Sequence, residues 1–197
     1  IAAIAAPIAL ASLFNTSAIA EEKNKGFYVM SALGFTNTTD IDISTGGSII
    51  FDNGGLWDIG FGYDFGSIRT ELSFDYTAQN ISTINGASAY TQVVSRSAYV
   101  IGYYDFRSDK KWQPYVGLGL GSSEIEAINA YYGGITLSAG TTGISSAIVK
   151  VGLTYSMENS DIFIERSGQG FGDFTIGSYT YTGVGVGSWT AGLRYKF

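Results

Sequence analysis

The sequence contains no cysteine and no histidine, only two prolines, and few charged residues. Without cysteine the chain cannot form a disulfide. Without histidine it lacks the base of the Ser-His and Cys-His catalytic arrangements and a common metal ligand. Charged residues make up 14% of the 197-residue chain, which has a net charge of −6 and no basic run. We therefore expect no nucleic-acid partner, no metal and no cofactor.

Long apolar runs are confined to the first 20 residues, which carry no charge. They combine an apolar stretch with the small-residue pattern Ala18-x-Ala20, which is typical of a secretory signal and its cleavage site. The stretch is short for a membrane helix, which needs about 20 apolar residues. We predict a signal peptide at 1–20, truncated at its N-terminus and cleaved after Ala20, followed by one domain at 21–197. Polar residues interrupt every later apolar run, so no transmembrane helix is expected.

The remainder of the chain shows short segments in which apolar and polar residues alternate. In residues 56–65, Trp57 and Phe61 lie on one face of a strand and Asp58 and Asp64 on the other. Repeated alternation of this kind is the signature of a transmembrane β-barrel with its apolar face outward. A strand of a soluble β-sandwich would alternate similarly but would need a second apolar layer to cover it. The predicted strands cover residues 27–36, 56–65, 68–78, 93–106, 112–121, 144–157, a segment starting near 161, and 184–197.

The connections between these strands alternate between short and long. Tight turns are predicted near 66, at 107–111 and at 158–160. Long connections rich in Gly, Ser and Thr are predicted at 37–54, 79–92, 122–142 and 167–182. Short periplasmic turns and long extracellular loops are the pattern of outer-membrane barrels. An even number of strands places both termini on the periplasmic side.

The C-terminus reads Thr190-x-Gly192-x-x-Tyr195-x-Phe197. Alternation places Tyr195 and Phe197 on one face of a strand and Thr190 and Gly192 on the other. An unpaired apolar strand invites aggregation in a soluble protein, whereas a barrel closes its last strand against its first. This tail resembles the insertion signal of bacterial outer-membrane β-barrel proteins, which the barrel-assembly machinery reads.

Aromatic residues gather at the strand ends assigned to the periplasmic side. Amphipathic rings prefer the headgroup depth of a bilayer, so a band of them indicates a membrane interface. Trp57, Tyr76 and Trp189 are candidates for a second band on the outer side. The predicted periplasmic aromatic girdle consists of Phe27, Tyr63, Phe65, Tyr104, Phe106, Trp112, Tyr155, Tyr195 and Phe197.

The opposite strand faces carry charges of both signs. The interior of an eight-stranded barrel is just wide enough for side chains to fill it. An unpaired buried charge costs several kcal/mol, so we interpret these charges as a paired structural plug. A narrow, gated ion path stays open as the alternative, because several inward glycines leave room. The predicted lumen charge network consists of Asp58, Asp64, Arg69, Glu71, Asp75, Asp105, Lys150, Glu165 and Arg194.

Residues 26–197 resemble the family of small bacterial outer-membrane β-barrels that includes opacity-type adhesins and OmpA/OmpX-like porin-family proteins. The resemblance implies an all-β, eight-stranded, antiparallel up-and-down transmembrane barrel in the outer membrane. It does not extend through the long loops. The runs that carry it, besides the tail, are Gly62-Tyr63-Asp64-Phe65-Gly66, Tyr103-Tyr104-Asp105-Phe106 and Pro114-Tyr115-Val116-Gly117-Leu118-Gly119-Leu120-Gly121.

Two functions fit this architecture. The first is a non-enzymatic, envelope-structural and adhesin-like role, with outer-membrane lipid and the barrel-assembly machinery as partners and an external cell-surface ligand bound through four mobile loops. The second is a small porin-like channel for ions or small solutes. Lipid A deacylases and omptin-type proteases share the architecture but rely on a catalytic histidine, so an enzyme would need carboxylates alone. Candidate loop contacts, which could equally pack on one another, are Tyr131, Tyr132, Ile135, Phe171, Phe174, Tyr179 and Tyr181.

We expect the protein extracted from membranes to show heat-modifiable migration on a gel. A folded barrel keeps a compact shape in detergent until it is boiled, so the unboiled and boiled samples should migrate differently. Identical migration before and after boiling would contradict the barrel prediction.

Overall fold

The computed structural model of the protein describes residues 25–38, 41–43, 47–84, 86–106, 111–132, 135–176 and 179–197. The predicted signal peptide at 1–20 lies outside these residues and stays a prediction. Within the described ranges, no helix is long and apolar enough to span a membrane. The strands are β1 (Gly26–Thr38), β2 (Ile41–Ile43), β3 (Gly47–Phe51), β4 (Gly54–Asp64), β5 (Ile68–Ile84), β6 (Ala87–Asp105), β7 (Trp112–Tyr132), β8 (Ile135–Ser156), β9 (Ser160–Phe171), β10 (Phe174–Ile176), β11 (Tyr179–Tyr181) and β12 (Gly185–Lys196).

Eight long strands form a closed antiparallel ring in the order β1, β4, β5, β6, β7, β8, β9 and β12. Strand β1 pairs with β12 from Tyr28 opposite Lys196 to Thr38 opposite Val186. The Phe197 N–H donates to the Phe27 carbonyl oxygen at 3.0 Å and extends this seam to the end of the chain. The ring therefore has no free edge, and the predicted eight-stranded up-and-down barrel is confirmed.

The outer wall of the barrel is apolar. Alternation along each strand directs aliphatic and aromatic side chains outward, and the predicted faces of 56–65 and 112–121 are confirmed by the exposure of Trp57, Phe61 and Leu118. Leu33 and Leu193, on adjacent strands, are 68% and 60% exposed. A continuous apolar surface of this kind would be unfavourable in water. It matches the outward apolar band of a barrel surrounded by hydrocarbon.

Inside the barrel, large aromatic side chains pack against glycines on neighbouring strands. Tyr103 lies opposite Gly117 in the register of β6 and β7. A Cβ atom at Gly117 would lie 2.6 Å from the Tyr103 ring, so only glycine leaves room for this side chain. Gly62 and Gly152 accommodate Tyr28 and Tyr115 in the same way. The interior core consists of Tyr28, Met30, Ala32, Tyr99, Ile101, Tyr103, Tyr115, Ile148 and Phe163.

Following the sequence prediction, we call the end of the barrel with the short turns periplasmic and the opposite end extracellular. The strands extend further at the extracellular end than the sequence predicted. Strands β5 and β6 continue into the predicted loop at 79–92 and turn at Gly86, whose φ of +76° suits glycine. Strands β7 and β8 likewise replace most of the predicted loop at 122–142. Both loop predictions are wrong, because backbone pairing between antiparallel strands continues without regular apolar alternation. The 37–54 segment also contains a strand pair, β2–β3, that continues onto β5.

We expect Gly117→Val to destabilise the barrel by about 1–3 kcal/mol, the usual cost of overpacking a well-packed core. The added side chain would displace the Tyr103 ring, which occupies that position. Urea-induced unfolding from lipid vesicles, followed by the gel shift, measures the change.

The matched control is Gly102→Val on the neighbouring strand. A Cβ atom at Gly102 would meet nothing within 4 Å, so this variant should unfold at nearly the wild-type urea concentration. Equal destabilisation of the two variants would contradict the packing argument.

Candidate functional site

The lumen of the barrel brings together most of the charged side chains that the sequence assigned to it. All nine predicted residues are buried. Six of the nine take part in three ion-pair groups, while Glu71 and Asp75 accept hydrogen bonds from neutral donors. The buried set comprises Asp58, Asp64, Arg69, Glu71, Asp75, Asp105, Lys150, Glu165 and Arg194.

The central group is built around Lys150 on β8. Its Nζ lies 2.9 Å from Oδ2 of Asp58 and 3.1 Å from Oε1 of Glu165. Lys150 is fully enclosed, with a side-chain exposure of 2%. The Tyr115 hydroxyl donates to the second oxygen of Glu165 at 2.9 Å. The ammonium group thus joins β4 and β9 across the lumen, in an interior where an ion pair is screened little by solvent.

The second group is an arginine held in a fixed orientation. Arg69 contacts both carboxylate oxygens of Asp105, with Nε at 2.7 Å and Nη2 at 3.1 Å. This bidentate geometry is the strong arrangement for a guanidinium and a carboxylate. The guanidinium carbon also lies 4.3 Å from the Tyr103 ring centroid and 5.1 Å from that of Tyr115. Aromatic faces on two strands therefore enclose a charge that would otherwise be exposed in the lumen.

The third group contains Asp161, a residue outside the predicted lumen charge network. Asp161 on β9 accepts hydrogen bonds from Arg194 and Ser156, and its Oδ2 lies 3.0 Å from both the Arg194 Nη1 and the Lys196 Nζ. The alternation Asp161-x-Phe163-x-Glu165 carries the signal, because inward Glu165 implies inward Asp161. The group joins β9 to β12 near the periplasmic end.

Two carboxylates are stabilised by neutral donors. Glu71 accepts from the Tyr28 hydroxyl at 3.0 Å and from the Tyr103 hydroxyl at 2.8 Å. Asp75 accepts from Ser73 at 3.0 Å and from the Gln169 side-chain amide at 2.8 Å. These contacts satisfy buried oxygens that have no direct cation partner among the described ion pairs.

Asp64, which was also predicted to belong to the network, is buried at the end of β4. Its Oδ1 accepts the Gly66 backbone N–H at 2.8 Å. Asp64 therefore fixes the tight turn between β4 and β5, and Gly66 adopts a φ of +112° there.

In the extracellular half of the lumen, serine hydroxyls take the place of the charged side chains. The Oγ atoms of Ser97 and Ser123 lie 2.8 Å apart, and Ser123 donates to Ser146 at 2.9 Å. A second pair, Ser167 and Ser188, joins β9 to β12 at 2.5 Å. Short hydroxyl side chains thus connect neighbouring strands above the ion pairs.

An apolar cluster lies at the extracellular end of the barrel, beyond the hydroxyls. Phe171 and Phe174 are buried, and the Phe174 ring stacks on Tyr181 with centroids 5.4 Å apart. The expectation that these two phenylalanines are exposed contact residues is therefore wrong, and the packing alternative holds for them. The side chains of Tyr131, Tyr132, Ile135 and Tyr179 lie outside those described. The cluster consists of Ile125, Ile144, Phe171, Phe174 and Val184, with Val93, Tyr181 and Val186 packed against it.

The residues of the predicted periplasmic girdle lie on the outer wall near the short turns. Six of them are at least half exposed: Phe27, Phe65, Phe106, Trp112, Tyr195 and Phe197. Tyr104 is exposed to 39%, and Tyr63 and Tyr155 are half-buried beside other girdle rings. In the predicted insertion signal, Tyr195 and Phe197 face outward, Thr190 is buried, and Gly192 lies beside Phe163. The roles of both sets stay predictions.

We expect Lys150→Met to destabilise the barrel by about 3–5 kcal/mol, because it leaves Asp58 and Glu165 buried without their cation. Unfolding in urea from lipid vesicles measures the loss. Adding Asp58→Asn and Glu165→Gln to this variant should restore part of the stability by removing the uncompensated charges.

Arg96→Gln is the matched control. Arg96 also contacts two carboxylates, Glu124 at 3.7 Å and Glu126 at 3.2 Å, but its side chain is 47% exposed. Its loss should cost less than about 1 kcal/mol, since exposed ion pairs contribute little. If the two single variants were equally stable, the lumen ion pairs would not hold the barrel together.

The sequence matches no protein-family model and no curated protein. Among solved structures, the barrel resembles Neisserial surface protein A, with a TM-score of 0.61 and 24% identity over 87% of this chain and 97% of that one. It also resembles Ail of Yersinia pestis (TM-score 0.51, 16% identity, 88% of this chain and 99% of that one) and the outer membrane protein AlkL (0.50, 17%, 93% and 95%). The likeness establishes the fold: this chain is a closed eight-stranded β-barrel of the kind found in small bacterial outer-membrane proteins.

Proposed function

We propose that this protein is an integral barrel of the bacterial outer membrane that performs no catalysis, supports the envelope and presents its extracellular strand extensions to an external ligand. One observation carries the proposal. The barrel is apolar outside and filled inside, so the parts of its surface available to other molecules are its two ends.

The filled lumen favours this role over the channel alternative. Lys150, Arg69 and Arg194 each contact a carboxylate at 3.1 Å or less. Large side chains such as Tyr103 and Phe163 occupy the space between these groups. An ion crossing the barrel would have to separate these pairs and displace the apolar cluster at the mouth. Both steps are unfavourable in a narrow interior.

The extracellular extensions provide the surface for a ligand. The β5–β6 and β7–β8 hairpins continue the barrel walls beyond the lipid-facing band as paired strands. Strand β3 adds to β5, and β2 adds to β3. Paired strands hold their side chains in fixed positions, so a ligand would meet a preformed surface and less ordering entropy would be lost on binding.

The charges of the extracellular side chains limit which kinds of ligand could bind there. Ail is similar in fold and has been crystallised with the heparin analogue sucrose octasulfate. In this chain the charged side chains described at the extracellular end are four carboxylates, Asp52, Glu124, Glu126 and Asp173, and two arginines, Arg96 and Arg166. Such a surface repels a sulfated polyanion. The ligand that fits is neutral or basic.

The absence of histidine from the sequence supports a non-enzymatic protein. The buried carboxylates that could replace it are held in contacts with cations or hydroxyls: Asp58 with Lys150, and Glu71 with two tyrosines. A carboxylate-only hydrolase would need two acids separated by a space for substrate and water. The interior core occupies the corresponding region.

We expect purified protein in planar bilayers to show no steady conductance, while vesicles carrying it bind cultured epithelial cells. The β7–β8 extension can be removed by replacing 128–138 with Asn-Gly, which joins the paired residues Ala127 and Ala139. The matched truncation replaces 82–90 with Asn-Gly between Ile81 and Thr91 of the β5–β6 hairpin. At least one truncation should weaken binding by about tenfold, a loss of ~1.4 kcal/mol.

Both truncated proteins must remain heat-modifiable, which shows that the barrel still folds. Steady, salt-dependent conductance that changes in Arg69→Ala would support the channel instead. Cell binding that neither truncation weakens would contradict the role given to the extensions.

A further inference from the structure

Two arginines point outward from the extracellular half of the barrel wall. Arg96 on β6 lies in register with Tyr76 and Glu124, and Arg166 on β9 lies in register with Trp189. A charged side chain on the lipid-facing side is costly unless it reaches the interface or finds a counter-charge. The two arginines meet this requirement differently.

Arg96 is neutralised within the protein. It contacts Glu124 and Glu126, and both Arg96 and Glu124 line a groove of about 460 Å³ that polar and apolar side chains share. The two carboxylates exceed the single positive charge. A further anion is therefore not favoured at this position.

Arg166 differs from Arg96 in its surroundings. Among the described residues it forms no ion pair, and its guanidinium carbon lies 5.6 Å from the Trp189 ring centroid. Its Nη1 donates a long hydrogen bond of 3.5 Å to the side-chain oxygen of Asn37. These neutral contacts orient the group but do not compensate its positive charge, and within the described part of the chain most of its N–H donors have no partner.

The guanidinium is directed toward the extracellular side. A Cβ atom at Gly187 would lie 2.5 Å from Nη2 of Arg166, so the side chain rests on this glycine. Gly187 pairs with Asn37. It lies two residues from Trp189, toward the extracellular end of β12. The arginine thus extends its charge from the apolar wall toward the level of the headgroups, as long cationic side chains do at membrane interfaces.

We infer that Arg166, with Trp189 and Asn37, binds the phosphate headgroup of an anionic lipid in the outer leaflet. The guanidinium presents two parallel N–H donors, which match the oxygens of a phosphate. The Asn37 amide accepts from Arg166 through its oxygen and keeps its NH2 group free to donate to the same phosphate. The exposed Trp189 ring lies beside the lipid chain below. This inference rests on the proposed membrane location.

The test uses the folded full-length barrel in a maltoside detergent that contains no phosphate. Native mass spectrometry counts bound dipalmitoyl phosphatidic acid and, separately, phosphatidylcholine with the same chains. Wild-type protein should retain phosphatidic acid preferentially, and Arg166→Gln should reduce that retention by about tenfold, the effect of one charge-assisted contact. Gly187→Leu should reduce it as well, because the new side chain displaces the guanidinium without changing the charge.

Arg96→Gln is the matched control and should retain phosphatidic acid at the wild-type level, because Arg96 is already neutralised. Equal loss in the two arginine variants would overturn the inference, since it would reflect net charge alone. Retention of phosphatidylcholine equal to that of phosphatidic acid would also overturn it, as would displacement of the lipid by millimolar inorganic phosphate. Heat-modifiable migration is checked first: failure there contradicts the membrane barrel, whereas a folded barrel without selectivity contradicts the lipid site alone.

Discussion

The structure depends on closing the backbone hydrogen bonds between the first and last long strands. In hydrocarbon an unpaired N–H or C=O group costs several kcal/mol, so a sheet can lie in a bilayer only when it has no edge. Strands β1 and β12 meet over their whole length, and the last N–H of the chain bonds to Phe27. Once the ring is closed, every second side chain must face outward and the others must share a narrow interior. The apolar wall and the filled lumen are both consequences of this closure.

The narrow lumen is filled by three kinds of residue together: paired charges, aromatic rings and glycines. Lys150 joins β8 to β4 and β9, and Arg69 joins β5 to β6. Buried ion pairs add little net stability, because desolvation offsets much of their attraction. They do make the cost of a wrong pairing high, since a shift of one residue would turn each charge toward lipid. The charges therefore specify the register, while the aromatic rings packed against glycines fill the remaining volume.

The extracellular half has a different character from the rest of the barrel. Above the ion pairs the lumen is lined by serine hydroxyls, and the apolar cluster around Phe171 and Phe174 follows. Paired strands continue beyond this cluster, so the surface that the proposed ligand would meet is built from sheet. On the outer wall at this end, Arg96 contacts two glutamates, whereas Arg166 has no ion-pair partner within the ranges that the structure describes. The extracellular end thus carries both the sheet proposed to bind a ligand and the arginine proposed to bind a lipid phosphate.

The alternation of inward and outward side chains could be predicted from the sequence, because it is a local property of each strand. It was sufficient to predict the eight barrel strands, the outward position of residues such as Trp57 and Leu118, and the inward position of Asp58 and Lys150. Which carboxylate meets which cation depends on the stagger between strands, so the separate groups and the part played by Asp161 emerged only in three dimensions. The length of the hairpins and the burial of Phe171 could not be predicted from the sequence for the same reason. Strand pairing and loop packing join residues distant in sequence, and no local pattern records them.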